Sequence, residues 1–202
     1  MKQKISILAQ KIDPYVPDGI ALQLAEMIVN ERVVVRITRP RLTKMGDYRP
    51  PYKKESHRIS INGDLNPFAF LVTFLHEFAH LYTWKIQHNL EHPHGKLWKS
   101  EFRKLLLKHV QVFPQDIQDA LQSYIANPKA SSCTDENLTR ALSKYDENPQ
   151  MLLEDIPFDV PFSLPGGRQM IKKEKLRKRF KCLDIESNRE YLVSPIAEVN
   201  ML

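Results

Sequence analysis

The chain has 202 residues, 42% of them hydrophobic and 27% charged, with a formal net charge of +6. That apolar content excludes a disordered chain, and the lack of any run of about 18 apolar residues argues against a membrane-spanning helix. Two isolated cysteines, Cys133 and Cys182, exclude a disulfide framework and a four-cysteine zinc ribbon, and both read as reduced structural thiols.

The length allows one domain or two. The first apolar run, Ile5 to Ala9, is too short for a signal peptide, so the chain reads as cytoplasmic. The spacing of Ile20, Leu22, Leu24 and Ile28 predicts a helix over 18–31, with Asp18 as its N-cap. Val33 to Thr38 is a β-branched run and predicts a strand. Residues 39–56 are rich in Pro, Lys and Arg, with Gly46 at a turn or bulge. His57 to Asn62 alternates with period two and predicts a second strand, whose edge suits an extended peptide.

Asn66-Pro67 opens the clearest helix, which runs to about Ile86. Further helices are predicted over 96–110, 115–126 and 135–145. Composition shifts near residue 149, where Pro149, Pro157, Pro161 and Pro165 punctuate the chain. Short strands follow around 168–171, 179–185 and 190–193. The chain therefore divides into a main domain, 1–148, and a small β-rich region, 149–202.

Charge is uneven. Residues 168–181 hold eight basic side chains and one acidic, and residues 31–58 hold nine and three. The remainder of the chain is net acidic. Two basic patches on such a background suit an anionic partner, nucleic acid among them. Lys172, Lys173, Lys175, Arg177, Lys178 and Arg179 are the candidate phosphate contacts.

The chemistry concentrates in His76-Glu77-Phe78-Ala79-His80. On a helix, residues four apart share a face, so both imidazoles reach one ion, and the intervening glutamate is placed as a general base. A helical wheel from Phe68 puts apolar side chains on nearly every sector except the one holding Thr73, His76, Glu77 and His80. A buried helix needs partners for two histidines and a carboxylate, and a metal ion supplies them. A catalytic zinc site takes three protein ligands. The third candidates are His94, His92, His88, Glu91 and Glu101, and Glu101 also suits a hydrogen bond to a ligand histidine. The backbone freedom of Gly95 would let a turn aim His94 back at the helix.

The stretch from Asn66-Pro67-Phe68 through His76-Glu77-Phe78-Ala79-His80, followed by His92-Pro93-His94-Gly95-Lys96-Leu97-Trp98, resembles the SprT-like family, whose eukaryotic relative is the Spartan protease of DNA-crosslinked proteins. Leu42 to Arg49 and the strand before Asn62 are also similar to bacterial members, and the likeness covers about residues 20–110. The resemblance implies His94 as third ligand, Glu77 as catalytic acid/base and one zinc ion per chain. It implies an α+β fold: a zincin-like, minimal gluzincin-type core with a small antiparallel sheet on the motif helix, plus the β-rich C-terminal appendage. Many members carry a C-terminal four-cysteine ribbon, and this chain does not.

The expected activity is peptide-bond hydrolysis on protein substrates, with single-stranded DNA as a further partner. Tyr48, Arg49 and Tyr82 are candidate donors to the developing oxyanion. The rival reading is a DNA-associated regulatory factor whose zinc is structural.

Overall fold

The structure, a computed structural model, describes every residue except 42, 54, 89–91 and 130–134; Leu42, Glu91 and Cys133 thus lie outside the described residues. The fold is α+β, with six helices and two sheets among the described residues. The chain separates into two units, Met1–Asp146 and Glu147–Leu202, each with its own apolar core. No described helix is long and apolar enough to cross a membrane.

The first unit begins with α1 (Lys2–Ile12), a helix beyond those expected from the sequence. Its apolar residues Ile5, Leu8 and Ile12 recur at helical spacing and pack on the core. α2 (Ala21–Asn30) starts later than expected. Gly19 takes φ 79° and Ile20 becomes the N-cap residue, so Asp18 caps nothing.

The centre of the unit is α3 (Pro67–Gln87). The Asn66 side chain accepts hydrogen bonds from the N–H groups of Phe68 (3.1 Å) and Ala69 (2.9 Å), satisfying two of the orphan donors at the helix start. Its Nδ2 donates to Leu142 O (2.9 Å) and Asp146 Oδ1 (2.6 Å). Phe70, Leu71, Phe74, Leu75 and Phe78 are all fully buried, so α3 is enclosed on most sides, as its apolar wheel requires. α4 (Lys96–His109) packs against it, followed by α5 (Gln115–Ala126) and α6 (Glu136–Ser143), where Asp135 caps Leu138 N–H.

The sheet of this unit contains β1 (Val34–Thr38), β2 (Gly46–Arg49) and β3 (Arg58–Asn62), in the order β1-β3-β2. β3 runs parallel to β1 and antiparallel to β2, so the sheet is mixed and not antiparallel as expected. The connection after β1 crosses the end of β3 and returns as β2. Arg41 holds that crossing in place. Its guanidinium donates to Asn62 Oδ1 (2.8 Å), Ser60 Oγ (3.0 Å), Ser60 O (3.3 Å) and Met45 O (3.3 Å). Two expectations change as a result: Gly46 is the first residue of a strand, and β3, being central, offers no free edge. The strand with an open side beside α3 is β2.

The second unit is one antiparallel sheet of six short strands: β4 (Met151–Leu152), β5 (Pro161–Ser163), β6 (Gln169–Lys175), β7 (Phe180–Asp184), β8 (Glu190–Val193) and β9 (Glu198–Met201). Their order is β4-β9-β5-β6-β7-β8. Phe162, Met170, Phe180, Cys182 and Val199 fill its core. Burial there pushes the Cys182 thiol up to about 11, which keeps it protonated and inert. β4, β5 and β9 are not expected from the sequence: two to four residues carry little alternation, and none of the three has the clear turn signal that Glu186-Ser187-Asn188 gives β8.

Candidate metal centre

α3 places His76 and His80 one turn apart on one face, and the turn before α4 brings in His94. The three Nε2 atoms converge: 3.2 Å from His76 to His80, 3.1 Å from His80 to His94, and 3.3 Å from His94 to His76. Each ring nitrogen is either donor or acceptor, never both, so a closed triangle of three cannot be satisfied by hydrogen bonds alone. With zinc–nitrogen bonds of 2.0–2.1 Å, the edge of a tetrahedron is about 3.3–3.4 Å. The observed triangle lies within about 0.3 Å of that edge. Among the described residues, no further histidine, cysteine or carboxylate joins the group.

The rings are also in the state that a metal requires. Burial holds His76 well below the ordinary histidine range, with His80 and His94 adding to the effect. Burial pushes His80 down to about 3, and it lowers His94 as well, helped by His92. Neutral imidazoles present lone pairs without a proton to displace. The donor set therefore fits one zinc ion.

Trp98, on α4, is the platform under the triad. It is fully buried, and its ring lies 4.7 Å from His76, 5.4 Å from His80 and 4.6 Å from His94. Its indole N–H points to His76 O at 3.4 Å. The sequence marked Trp98 only as part of the buried side of α4, because contact with three rings from two other segments leaves no local pattern.

Glu77 is 5% exposed and lines the same cleft as the three histidines. Burial pushes its carboxyl up to about 8, with Asp47 adding to the rise, while the Tyr48 backbone N–H donates to it and opposes the shift. β2 thus supplies a hydrogen bond to that carboxyl. It can approach only because residue 46 is glycine: a Cβ there would stand 2.5 Å from Glu77 Oε1 and 2.7 Å from Thr73 Cγ2.

The cleft between β2 and α3 has a volume of about 430 Å³. Of the three candidate oxyanion donors, Tyr48 lines it. Its ring lies parallel to that of His80 at 6.2 Å, and its hydroxyl is 2.8 Å from His57 Nδ1. Arg49 is exposed and paired with Asp47 at 2.9 Å, and Tyr82 packs on Phe78 at 6.0 Å; neither lines the cleft.

The other candidate ligands lie elsewhere. His88 caps α3 in the left-handed conformation and rests against Trp84. The His92 carbonyl accepts from Gly95 N–H at 2.8 Å, and His92 stands outside the triad. Glu101 accepts a hydrogen bond from Lys104 at 2.6 Å and does not join the group. Gly95 has φ −71°, open to any residue, so glycine freedom is not what turns His94 inward.

Of the six candidate phosphate contacts in the second unit, Lys172 is corrected outright. It is 2% exposed and donates to the carbonyls of Leu153 (2.8 Å), Glu154 (3.0 Å) and Ile156, which places it inside the unit. Lys173 is exposed but paired with Asp159 at 2.7 Å. Lys175, Arg177, Lys178 and Arg179 are exposed around the turn that joins β6 to β7.

Compared with models of known protein families, with curated proteins and with solved structures, the chain matches none.

Proposed function

We infer that the chain is a zinc-dependent metallopeptidase of the SprT-like kind, with a zincin-like core and DNA-associated proteins as its substrate class. The observation that carries this reading is the convergence of three neutral imidazole nitrogens, 3.1–3.3 Å apart, in one cleft with a buried carboxylate. His76, His80 and His94 would hold the ion. A bound zinc supplies a Lewis acid at that point of the cleft, which polarises a carbonyl and acidifies water.

The protein's own groups do the rest. Glu77 takes a proton from water as the water oxygen bonds to the scissile carbonyl carbon. The same carboxyl returns that proton to the amine nitrogen as the C–N bond breaks. The Tyr48 N–H keeps the carboxylate oriented, and burial raises its affinity for a proton. Trp98 and Phe102 shield the far side of His76 from water.

Purification without added metal is expected to yield close to one zinc per chain by elemental analysis. Glu77→Gln should keep that zinc and the fold yet lose hydrolysis of unfolded protein substrates, with and without single-stranded DNA. Equal cleavage by wild type and Glu77→Gln would remove the peptidase reading. It would leave the rival, a non-proteolytic DNA-associated zinc protein, which the exposed cations of the β6–β7 turn favour.

A further inference from the structure

α3 continues past the triad along the same face. Trp84 follows His80 by four residues and His76 by eight, so helical periodicity aligns the three side chains. Trp84 is only half-buried and lines the cleft. Two imidazoles hold its ring edge-on: His57 at 4.9 Å and 82°, and His88 at 4.7 Å and 90°. A large ring fixed from two sides loses little side-chain entropy when a ligand covers it.

The rest of the cleft lining carries little free charge, and Gln87, one turn beyond Trp84, is uncharged. Pro50 and Pro93 line the cleft together with the Tyr48 ring. The Thr83 hydroxyl is engaged with Ala79 O at 2.8 Å. Asp47, the lining carboxylate besides Glu77, is paired with Lys44 at 2.7 Å and Arg49 at 2.9 Å. One helical turn separates Trp84 from His80, about 6 Å along the axis. That matches the reach from a backbone carbonyl to the ring of the adjoining residue.

The geometry points to an apolar side-chain subsite on Trp84, so that the preferred substrate is a polypeptide with an aromatic or large aliphatic residue next to the bond presented to the triad. This deepens the metallopeptidase reading and rests on it. A charged side chain would lose water against Trp84 and two prolines, and Gln87 offers it no counter-charge.

Calorimetric titration of the zinc-loaded full chain with two hydroxamates tests the subsite. Acetohydroxamate reports on the metal centre alone, and 3-phenylpropionohydroxamate adds a ring that reaches Trp84. The phenyl probe is expected to bind about ten- to hundredfold tighter. Trp84→Ala should collapse that ratio below about threefold, with acetohydroxamate affinity and zinc content kept, whereas Trp84→Phe should retain most of it. Trp84→Gln, with its good helix propensity, replaces the alanine variant if that one does not fold. Equal affinities of wild type for the two probes, or an undiminished ratio in the folded alanine or glutamine variant, would overturn the subsite and leave the metal centre standing. If neither probe binds the zinc-titrated protein, the metallopeptidase reading falls and the subsite falls with it.

Discussion

At the scale of single residues, the site depends on one missing methyl group. A Cβ on residue 46 would lie 2.5 Å from Glu77 Oε1, 2.7 Å from Thr73 Cγ2 and 2.9 Å from Glu77 Cγ. Oε1 is the end of a flexible chain and can swing away, but the other two atoms cannot both retreat. Gly46→Ala should therefore turn the Glu77 carboxylate out of reach of the Tyr48 N–H and abolish hydrolysis. The variant should retain its zinc and lose about 1–3 kcal/mol of stability to overpacking. Zinc analysis beside a denaturant melt checks both halves. The proposed ligands give a second expectation. His94→Ala removes one of three converging nitrogens and should weaken zinc binding by more than about 100-fold. Glu101→Ala breaks the contact to Lys104, away from the triad, and should change it by less than about threefold. Competition with a chelator orders the two, and a tight-binding His94→Ala protein would contradict the assignment.

At the scale of elements, legibility followed periodicity. α3 could be read with its cap, its buried sectors and its polar stripe because each repeats at 3.6 residues. The same rule exposes His76, Glu77 and His80 on sequence alone. His94 is preferred to four rivals only on the turn at Gly95 and on the family resemblance, because the turn between α3 and α4 decides which side chain reaches back, and turns have no period. Trp98, Gly46 and His57 carried no signal for the same reason: each acts across a tertiary contact. The basic run 168–181 misled at one position. β6 alternates, so successive side chains face opposite sides of the sheet, and Lys172 falls on the inner one between Met170 and the exposed end. Three carbonyls, those of Leu153, Glu154 and Ile156, take its ammonium protons. Burial lowers the Lys172 pKa from its ordinary value of 10.5. The unfolded chain then binds more protons than the folded one between the two values, so this group's contribution to stability rises with pH through that window. Lys172→Met should cost about 1–3 kcal/mol at neutral pH, through carbonyls left unpaired. The difference in urea midpoint between wild type and variant, followed at the Met170 methyl resonance, should widen as pH climbs towards 10.5. A difference that is flat or narrows would show that the ammonium is not strained by its burial.

At the scale of the whole molecule, the net charge of +6 is less informative than where the exposed cations stand. Lys44, Arg49 and Lys173 are committed to carboxylates, and Lys181 lies between Glu174 and Glu190. Arg41 is committed to β3 and Lys172 to the inside of the C-terminal sheet. Lys175, Arg177, Lys178 and Arg179 cluster on one exposed turn, where Arg179 also donates to Leu192 O at 3.2 Å and Lys175 lies 5.5 Å from the Phe180 ring. If that turn docks on a single strand through four phosphates, the logarithm of the binding constant should fall with the logarithm of salt concentration at a slope near −3. Replacing all four by glutamine should bring the slope close to zero. Lys172→Gln is the informative control: a basic run read as a linear stretch assigns it an equal share of the slope, whereas a buried side chain contributes none. Anisotropy titrations of a labelled oligonucleotide, from about 50 to 200 mM salt, separate the two. A slope that drops in Lys172→Gln, or one that survives removal of the four turn residues, would move the contact surface away from the β6–β7 turn.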